Sequence, residues 1–266
     1  MLIDRKHIEQ WAVTAPAKSE MAELVTQLIM NTLPNDGSSY NIPIGSSTFI
    51  GGWDGIIESL AGHAFIPLGK SGWEFGARGD TTTKANKDYS NRMKGISETE
   101  RRNMTFVFVT PYHWDAKTKW VTDKKKSGDW KDVIAYDSDN LAQWIYQLPI
   151  VTEWFAQKIN LFTGTGIILP SMRWNEIAIG PKGIVLTPEF YTVGRERIID
   201  VVQEMVEGKP GLQAFRASSR EEAMAFILAA GQLLPEPAKS KFMGKSVVVD
   251  TRESLRQIAG SECLSF

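Results

Sequence analysis

The chain has 266 residues, 42% of them hydrophobic and 23% charged, and its 30 basic and 31 acidic side chains give a net charge of −1. That composition excludes collagen-like, coiled-coil and disordered chains, and the single cysteine, Cys263, excludes a disulfide scaffold or a cysteine-ligated zinc centre. No apolar run reaches the roughly eighteen residues of a membrane span, and the opening Met-Leu-Ile-Asp-Arg-Lys lacks the core of a signal peptide, so the expectation is a soluble, cytoplasmic protein.

In chain order, Ser19 to Leu33 predicts a helix: Ser19 suits the N-cap, Met21, Leu24, Val25, Leu28 and Ile29 recur at helical spacing, and Pro34 stops it. Short strands are expected at Asn41–Gly45, at Trp53–Ser59 and near Trp73–Ala77, with Gly-, Ser- and Pro-rich turns between them as a meander needs. A helix over Thr82–Lys94 precedes the apolar run Thr105–Thr110, the pattern of a central strand covered on both faces. Val133–Tyr136 reads as another strand, and Leu141–Lys158 as one long helix kinked at Pro149. Eight of nine tryptophans precede residue 155, and the glycines and proline of Thr163–Ser171 punctuate the chain, which places domains at 1–162 and 163–266. The second domain reads as a helix over Glu196–Val206, a strand at Leu212–Ala217, a helix at Arg220–Leu233, a strand at Ser246–Asp250 and a helix at Glu253–Ala259. That alternation predicts the start of a parallel α/β sheet, too short to be covered alone, as if the chain were the N-terminal piece of a longer protein.

Charge is unevenly spread. Between Arg78 and Lys126 lie twelve basic residues against six acids, either a phosphate-facing surface or a solvated face with an exposed lysine-rich loop at 124–126. Just upstream, Gly52-Trp53-Asp54-Gly55 and Gly69-Lys70-Ser71-Gly72-Trp73-Glu74-Phe75-Gly76 place one acid on each of two neighbouring strands. Two such acids can converge on one sheet edge and chelate Mg²⁺ (or Mn²⁺), whose hard shell takes carboxylate oxygens and water. A nearby lysine can then stabilise the charge that develops at phosphorus. Asp54 also suits a turn, and Glu74 an exposed salt bridge.

The order helix, three-strand meander, helix, strand, with an acid on the second strand and another on the third, resembles the PD-(D/E)XK restriction-endonuclease-like fold. Gly-Trp-Asp-Gly is similar to the Gly-x-Asp-Gly of Mrr-like nucleases. Phe-Ile-Pro-Leu-Gly-Lys-Ser-Gly-Trp-Glu-Phe-Gly, Lys-Ala-Asn-Lys-Asp-Tyr and Phe-Val-Phe-Val-Thr-Pro resemble the N-terminal nuclease domain of bacterial anti-phage effectors such as the Avs STAND NTPases. The resemblance covers roughly residues 1–160. It implies an endonuclease acting on double-stranded DNA with little sequence specificity, activated as a homo-oligomer, a dimer or tetramer. Asp54, Glu74 and Lys84 would be catalytic, and Asp54 and Glu74, with Glu23 as a further acid, would hold the metal. Lys70, Arg78, Lys87, Arg92 and Lys94 would grip the backbone. The family's lysine two residues after the acid is Gly76 here, so Lys84 is the candidate from the next helix, with Lys87 and Lys70 in reserve. That departure also supports a rival, an inactive nuclease-fold module for DNA binding or oligomerisation.

Other features carry less. Trp73, Trp114, Trp120 and Trp130 suit core packing better than base stacking, Asp88 and Tyr89 read as structural, and His113 shows no partner set. Glu23 also suits a plain surface position. Gly244-Lys245-Ser246 imitates the end of a P-loop, but Lys239 stands where the opening glycine belongs and strand-like valines follow. Gly194-Arg195-Glu196 is similar to the lead-in of STAND NTPase cores, yet the turn Arg216–Arg220 has no glycine, so no ATP is expected on this segment.

Overall fold

The computed structural model describes residues 3–34, 36–43, 52–161, 165–180, 183–208, 213–259 and 264–265. The chain divides into two compact units, Met1–Leu161 and Phe162–Phe266. In the first unit the order is α1 (Arg5–Ala12), α2 (Ala17–Met30), β1 (Ser39–Asn41), β2 (Gly55–Ser59), β3 (Gly69–Phe75), α3 (Thr81–Gly95), α4 (Glu98–Arg101), β4 (Thr105–Val109), α5 (Lys117–Ser127), β5 (Asp132–Tyr136), α6 (Ser138–Tyr146) and α7 (Pro149–Lys158). The strands form one mixed sheet, ordered β1-β2-β3-β4-β5: the first three are an antiparallel meander, and β4 and β5 run parallel to β3.

Alternation along the strands covers both faces. On β4, Val107 and Val109 join Ile57, Trp73 and Tyr136 against α1, α2, α6 and α7, while Phe106 and Phe108 face α3 and α5 with Ala85, Tyr89, Trp114, Trp120 and Trp130. All five residues of β4 are buried, as a strand covered on both faces requires. The four tryptophans at 73, 114, 120 and 130 are therefore core side chains.

Several expected elements differ. The second helix starts at Ala17 behind Pro16, and Ser19 bonds back to the Pro16 carbonyl instead of capping it. Leu141–Lys158 is two helices: α6 begins earlier, at a capping box of Asp137 and Asn140, and Pro149 opens α7 because it needs no N–H donor there. Lys124, Lys125 and Lys126 form the last turn of α5, where cations meet the negative end of the helix dipole, and not a loop. Part of the strand expected at Asn41–Gly45 and of the boundary at Thr163 lies outside the described residues.

The second unit contains β6 (Ile167–Ile168), α8 (Pro170–Ala178), α9 (Pro188–Thr192), α10 (Arg197–Glu207), α11 (Arg220–Leu233), α12 (Ala238–Lys245), β7 (Ser246–Val249), α13 (Arg252–Ile258) and β8 (Leu264–Ser265). Its core gathers around α11, with Leu228, Ala229, Ala230, Phe242 and Val248 buried. The expected parallel sheet is replaced by a short mixed one, β6 antiparallel and β8 parallel to β7. The strand expected at Leu212–Ala217 does not form over residues 213–217, which are exposed apart from the half-buried Phe215 and so have no buried face to pin a register. Gly244 and Lys245 end α12 and Ser246 opens β7, the reverse of the loop-to-helix order of a P-loop. No helix among the described residues is long and apolar enough to cross a membrane.

Trp144 ties the first unit's larger core together: fully buried, it stacks on Phe65 at 5.0 Å and donates its indole N–H to Thr32 Oγ1 at 2.8 Å. Trp144→Ala is expected to lower the unfolding free energy by about 3–5 kcal/mol, measured by urea denaturation. A loss within error of zero would show that the packing around α6 is not what holds this unit.

Candidate active site at the edge of β2 and β3

The β2–β3 register pairs Gly55 with Trp73, so continuing it one residue sets Asp54 opposite Glu74. Opposed residues of an antiparallel pair project to the same face. With Trp73 pointing into the larger core, Glu74 points toward α3, and it is only 3% exposed. The Phe75 N–H donates to Asp54 Oδ2 at 2.7 Å, which fixes the half-buried aspartate at the end of the strand pair.

Helix α3 crosses this face, anchored by Ala85 and Tyr89 in the smaller core. Lys84, Asp88 and Arg92 repeat every four residues and make one stripe along the helix. Lys84 Nζ lies 2.6 Å from Asp88 Oδ2, and Asp88 is buried. Arg92 pairs through Nε with Glu74 Oε1, donates from its terminal nitrogen to the Gly52 carbonyl, and lies over the Trp53 ring at 5.0 Å.

The electrostatics follow from burial. Glu74 is pushed up to about 7, chiefly by desolvation; the Arg92 hydrogen bond and charge oppose the rise, and Asp54 and Asp88 add to it. Asp54 is also raised by burial, against the pull of the Phe75 N–H, Lys84 and Arg92, with Asp88 adding to the rise. Desolvation outweighs the ion pair at Glu74, which marks a carboxylate short of positive charge. Asp54, Glu74 and the Gly52 carbonyl offer oxygen donors only, the set that suits Mg²⁺ or Mn²⁺.

The sequence-predicted residues separate into two groups. Asp54, Glu74 and Lys84 come together. Arg78 and Lys87 line a cavity of about 270 Å³ with Asp80, Thr83, Lys84 and Asp88, beside the first turns of α3. Arg92 is bound to Glu74 and does not stand free to grip a phosphate. Lys70 is exposed at the far end of β3, opposite Glu58, and Lys94 is exposed in the last turn of α3. Glu23 lies on α2, which packs on the opposite face of the sheet, and its carboxylate meets Lys158 Nζ at 3.0 Å; it is not brought to the acid pair. The basic stretch 78–126 is largely committed internally: Arg78, Lys84, Arg92, Arg102, Lys117, Lys119 and Lys125 form ion pairs, and Arg101 binds main-chain carbonyls. Lys87, Lys94 and Lys126 form no ion pair among the described residues.

Gly76, where the resemblance places a lysine, is closed. A Cβ there would lie 2.3 Å from Phe108 Cζ, so no side chain can enter from that position without moving the ring. Asp88, read from the sequence as structural, is buried and ion-paired to Lys84, and Arg92, read as a phosphate contact, is paired with Glu74; the spacing 84, 88, 92 was the available signal for their shared stripe. His113 also acquires partners, Asp139 from across the fold and Asp115 two residues on in the chain.

No family model matches the chain, and neither curated proteins nor solved structures match it.

Because the folded-state value of Glu74 lies above the ordinary 4.5, folding favours its protonated form, and stability is lost as pH rises from about 4.5 through about 7. The wild-type chain is expected to lose up to about 3 kcal/mol more than Glu74→Gln between pH 5 and pH 8, read from urea midpoints. Parallel pH profiles for the two proteins would contradict the burial of a charge-poor carboxylate.

Proposed function

We propose that the first unit is a metal-dependent endonuclease domain of the PD-(D/E)XK, restriction-endonuclease-like type, hydrolysing phosphodiester bonds of double-stranded DNA with little sequence preference. The observation that carries this reading is the nearness of Asp54, held by the Phe75 N–H at the end of the β2–β3 pair, to Glu74, whose protonation its charge favours, and to Lys84, whose charge acts on it. The element order supports it: α2, the meander β1–β3, α3, then β4 and β5 parallel to β3. The wider setting, a cytoplasmic anti-phage effector that fires on oligomerisation as part of a longer protein, rests on the sequence resemblance.

Asp54 and Glu74 would hold Mg²⁺ or Mn²⁺, which when bound supplies Lewis-acid polarisation of the phosphate and a more acidic water. The chain's own groups do the rest. Lys84 presents an ammonium to the charge that develops at the phosphoryl oxygens, and Asp88, 2.6 Å from it, orients that ammonium. Arg78 and Lys87 offer positive charge at the cavity for backbone phosphates, contacts that position a duplex without reading its sequence. Arg92 neutralises Glu74 while no cation is bound, and must give way when one is.

A second reading is favoured by two specific observations: Phe108 closes the position at Gly76, and Arg92 already occupies Glu74. Under it the same fold binds DNA or its own copies without cutting. Plasmid relaxation and linearisation in Mg²⁺ and in Mn²⁺ separates the two. The endonuclease reading predicts cutting that Asp54→Ala and Glu74→Ala abolish and that Lys84→Ala lowers about 10²–10³-fold. Cutting retained by both acid variants would overturn the site. DNA binding with no metal-dependent cutting by the wild type would assign the chain to the inactive module.

A further inference from the structure

A second cluster of ligating groups stands at the carboxyl ends of β4 and β5. His113 lies in the segment between β4 and α5, and Asp137 and Asp139 flank the start of α6; ligand atoms of these three residues all lie within 4.8 Å of one another. Among the described residues no other three His, Cys, Asp or Glu side chains meet that closeness. We propose that His113, Asp137 and Asp139 form a cation site, separate from the Asp54–Glu74 pair, for a first-row transition dication such as Zn²⁺, which ties the segment after β4 to the start of α6.

Three features carry this. The first is the environment of the imidazole. Nε2 lies 2.9 Å from Asp115 Oδ1 and Nδ1 lies 2.8 Å from Asp139 Oδ2. Asp115 holds the ring from its Nε2 side and turns Nδ1 toward Asp139, so that Nδ1 and a carboxylate oxygen converge on one point. A carboxylate holding the far nitrogen of a ligating histidine is also the usual outer-shell partner in metal centres.

The second is local charge. Glu9, Asp115, Asp137 and Asp139 stand against Arg5 and Lys117, an excess of two acidic side chains over basic ones around the imidazole that attracts a dication. Asp137 is buried, with Lys117 Nζ at 2.7 Å and the Asn140 N–H on its Oδ1, and its carboxylate is held within 4.8 Å of the other two ligands.

The third is support from outside the cluster. Glu9 on α1 accepts from the His113 main-chain N–H at 3.2 Å and from Ser138 Oγ at 3.1 Å, so one glutamate holds both ligand-bearing segments. Imidazole with carboxylates suits Zn²⁺ and its neighbours in the first row. The half-exposed His113 leaves room for water to complete the coordination.

The test uses the full chain, stripped with a chelator and titrated with Co²⁺, followed by visible absorption and by paramagnetic proton NMR. The expected result is a bound Co²⁺, displaced by Zn²⁺, with a hyperfine-shifted, exchangeable imidazole N–H resonance from the ring nitrogen that faces Asp115. His113→Ala removes that resonance. Asp115→Asn, at a fully solvated position where folding is not at stake, weakens Co²⁺ about 10–100-fold. The double variant Asp54→Ala, Glu74→Ala keeps the resonance, which distinguishes this site from the candidate active site whatever the outcome of DNA cutting. No shifted imidazole resonance in the wild type, its survival in His113→Ala, or its loss in the Asp54/Glu74 double variant would each overturn the proposal.

Discussion

Continuing the antiparallel register of β2 and β3 by one residue sets two acids opposite each other on a face that α3 then covers, and the rest of the candidate site answers that constraint. Burial raises the proton affinity of both carboxylates, and the Asp54 charge adds to the rise at Glu74. The fold supplies partial relief: a main-chain N–H for Asp54, the Arg92 guanidinium for Glu74, and the Lys84 ammonium nearby. None of these brings Glu74 back to the ordinary carboxylate range. A site built this way gains when an additional cation enters it, which is the physical link between its burial and the chemistry proposed for it.

Sheet alternation explains why the positive groups come from a helix. Trp73 fills the larger core, so Glu74 and the glycines at 72 and 76 line the other face. At Gly72 a side chain would collide with Met104 and Trp53, and at Gly76 with Phe108, so β3 can offer only its glutamate there. α3 is the next element in the chain and packs directly over that face. Its four-residue repeat delivers Lys84, Asp88 and Arg92 together, where one strand lysine would serve in the family that the sequence resembles.

Much of the first unit's fold was legible because its pattern is strongly periodic. The apolar run Thr105–Thr110 reads as a doubly covered strand and forms one over Thr105–Val109, and Asp54 and Glu74 stood out as acids in glycine- and tryptophan-rich strand contexts. What the sequence hid were pairings made across elements. Arg92 looks like any exposed helix cation until the register places Glu74 beneath it, and Glu23 looks available until Lys158, 135 residues away, takes it. α5 carries almost no apolar face beyond Trp120, so its helix was invisible to periodicity and its lysines read as a loop. In the second unit, residues 213–217 carry Phe215 as their one strand-favouring side chain and bury little, so no register is fixed there.

The most direct measurement is an anomalous difference map from crystals of the full chain grown with Mn²⁺. The expected result is a peak bridging the Asp54 and Glu74 carboxylates, with the Arg92 guanidinium displaced from Glu74. Saturating Mn²⁺ with no density between the two acids, and Arg92 still seated on Glu74, would contradict the cation site on which the proposed chemistry rests.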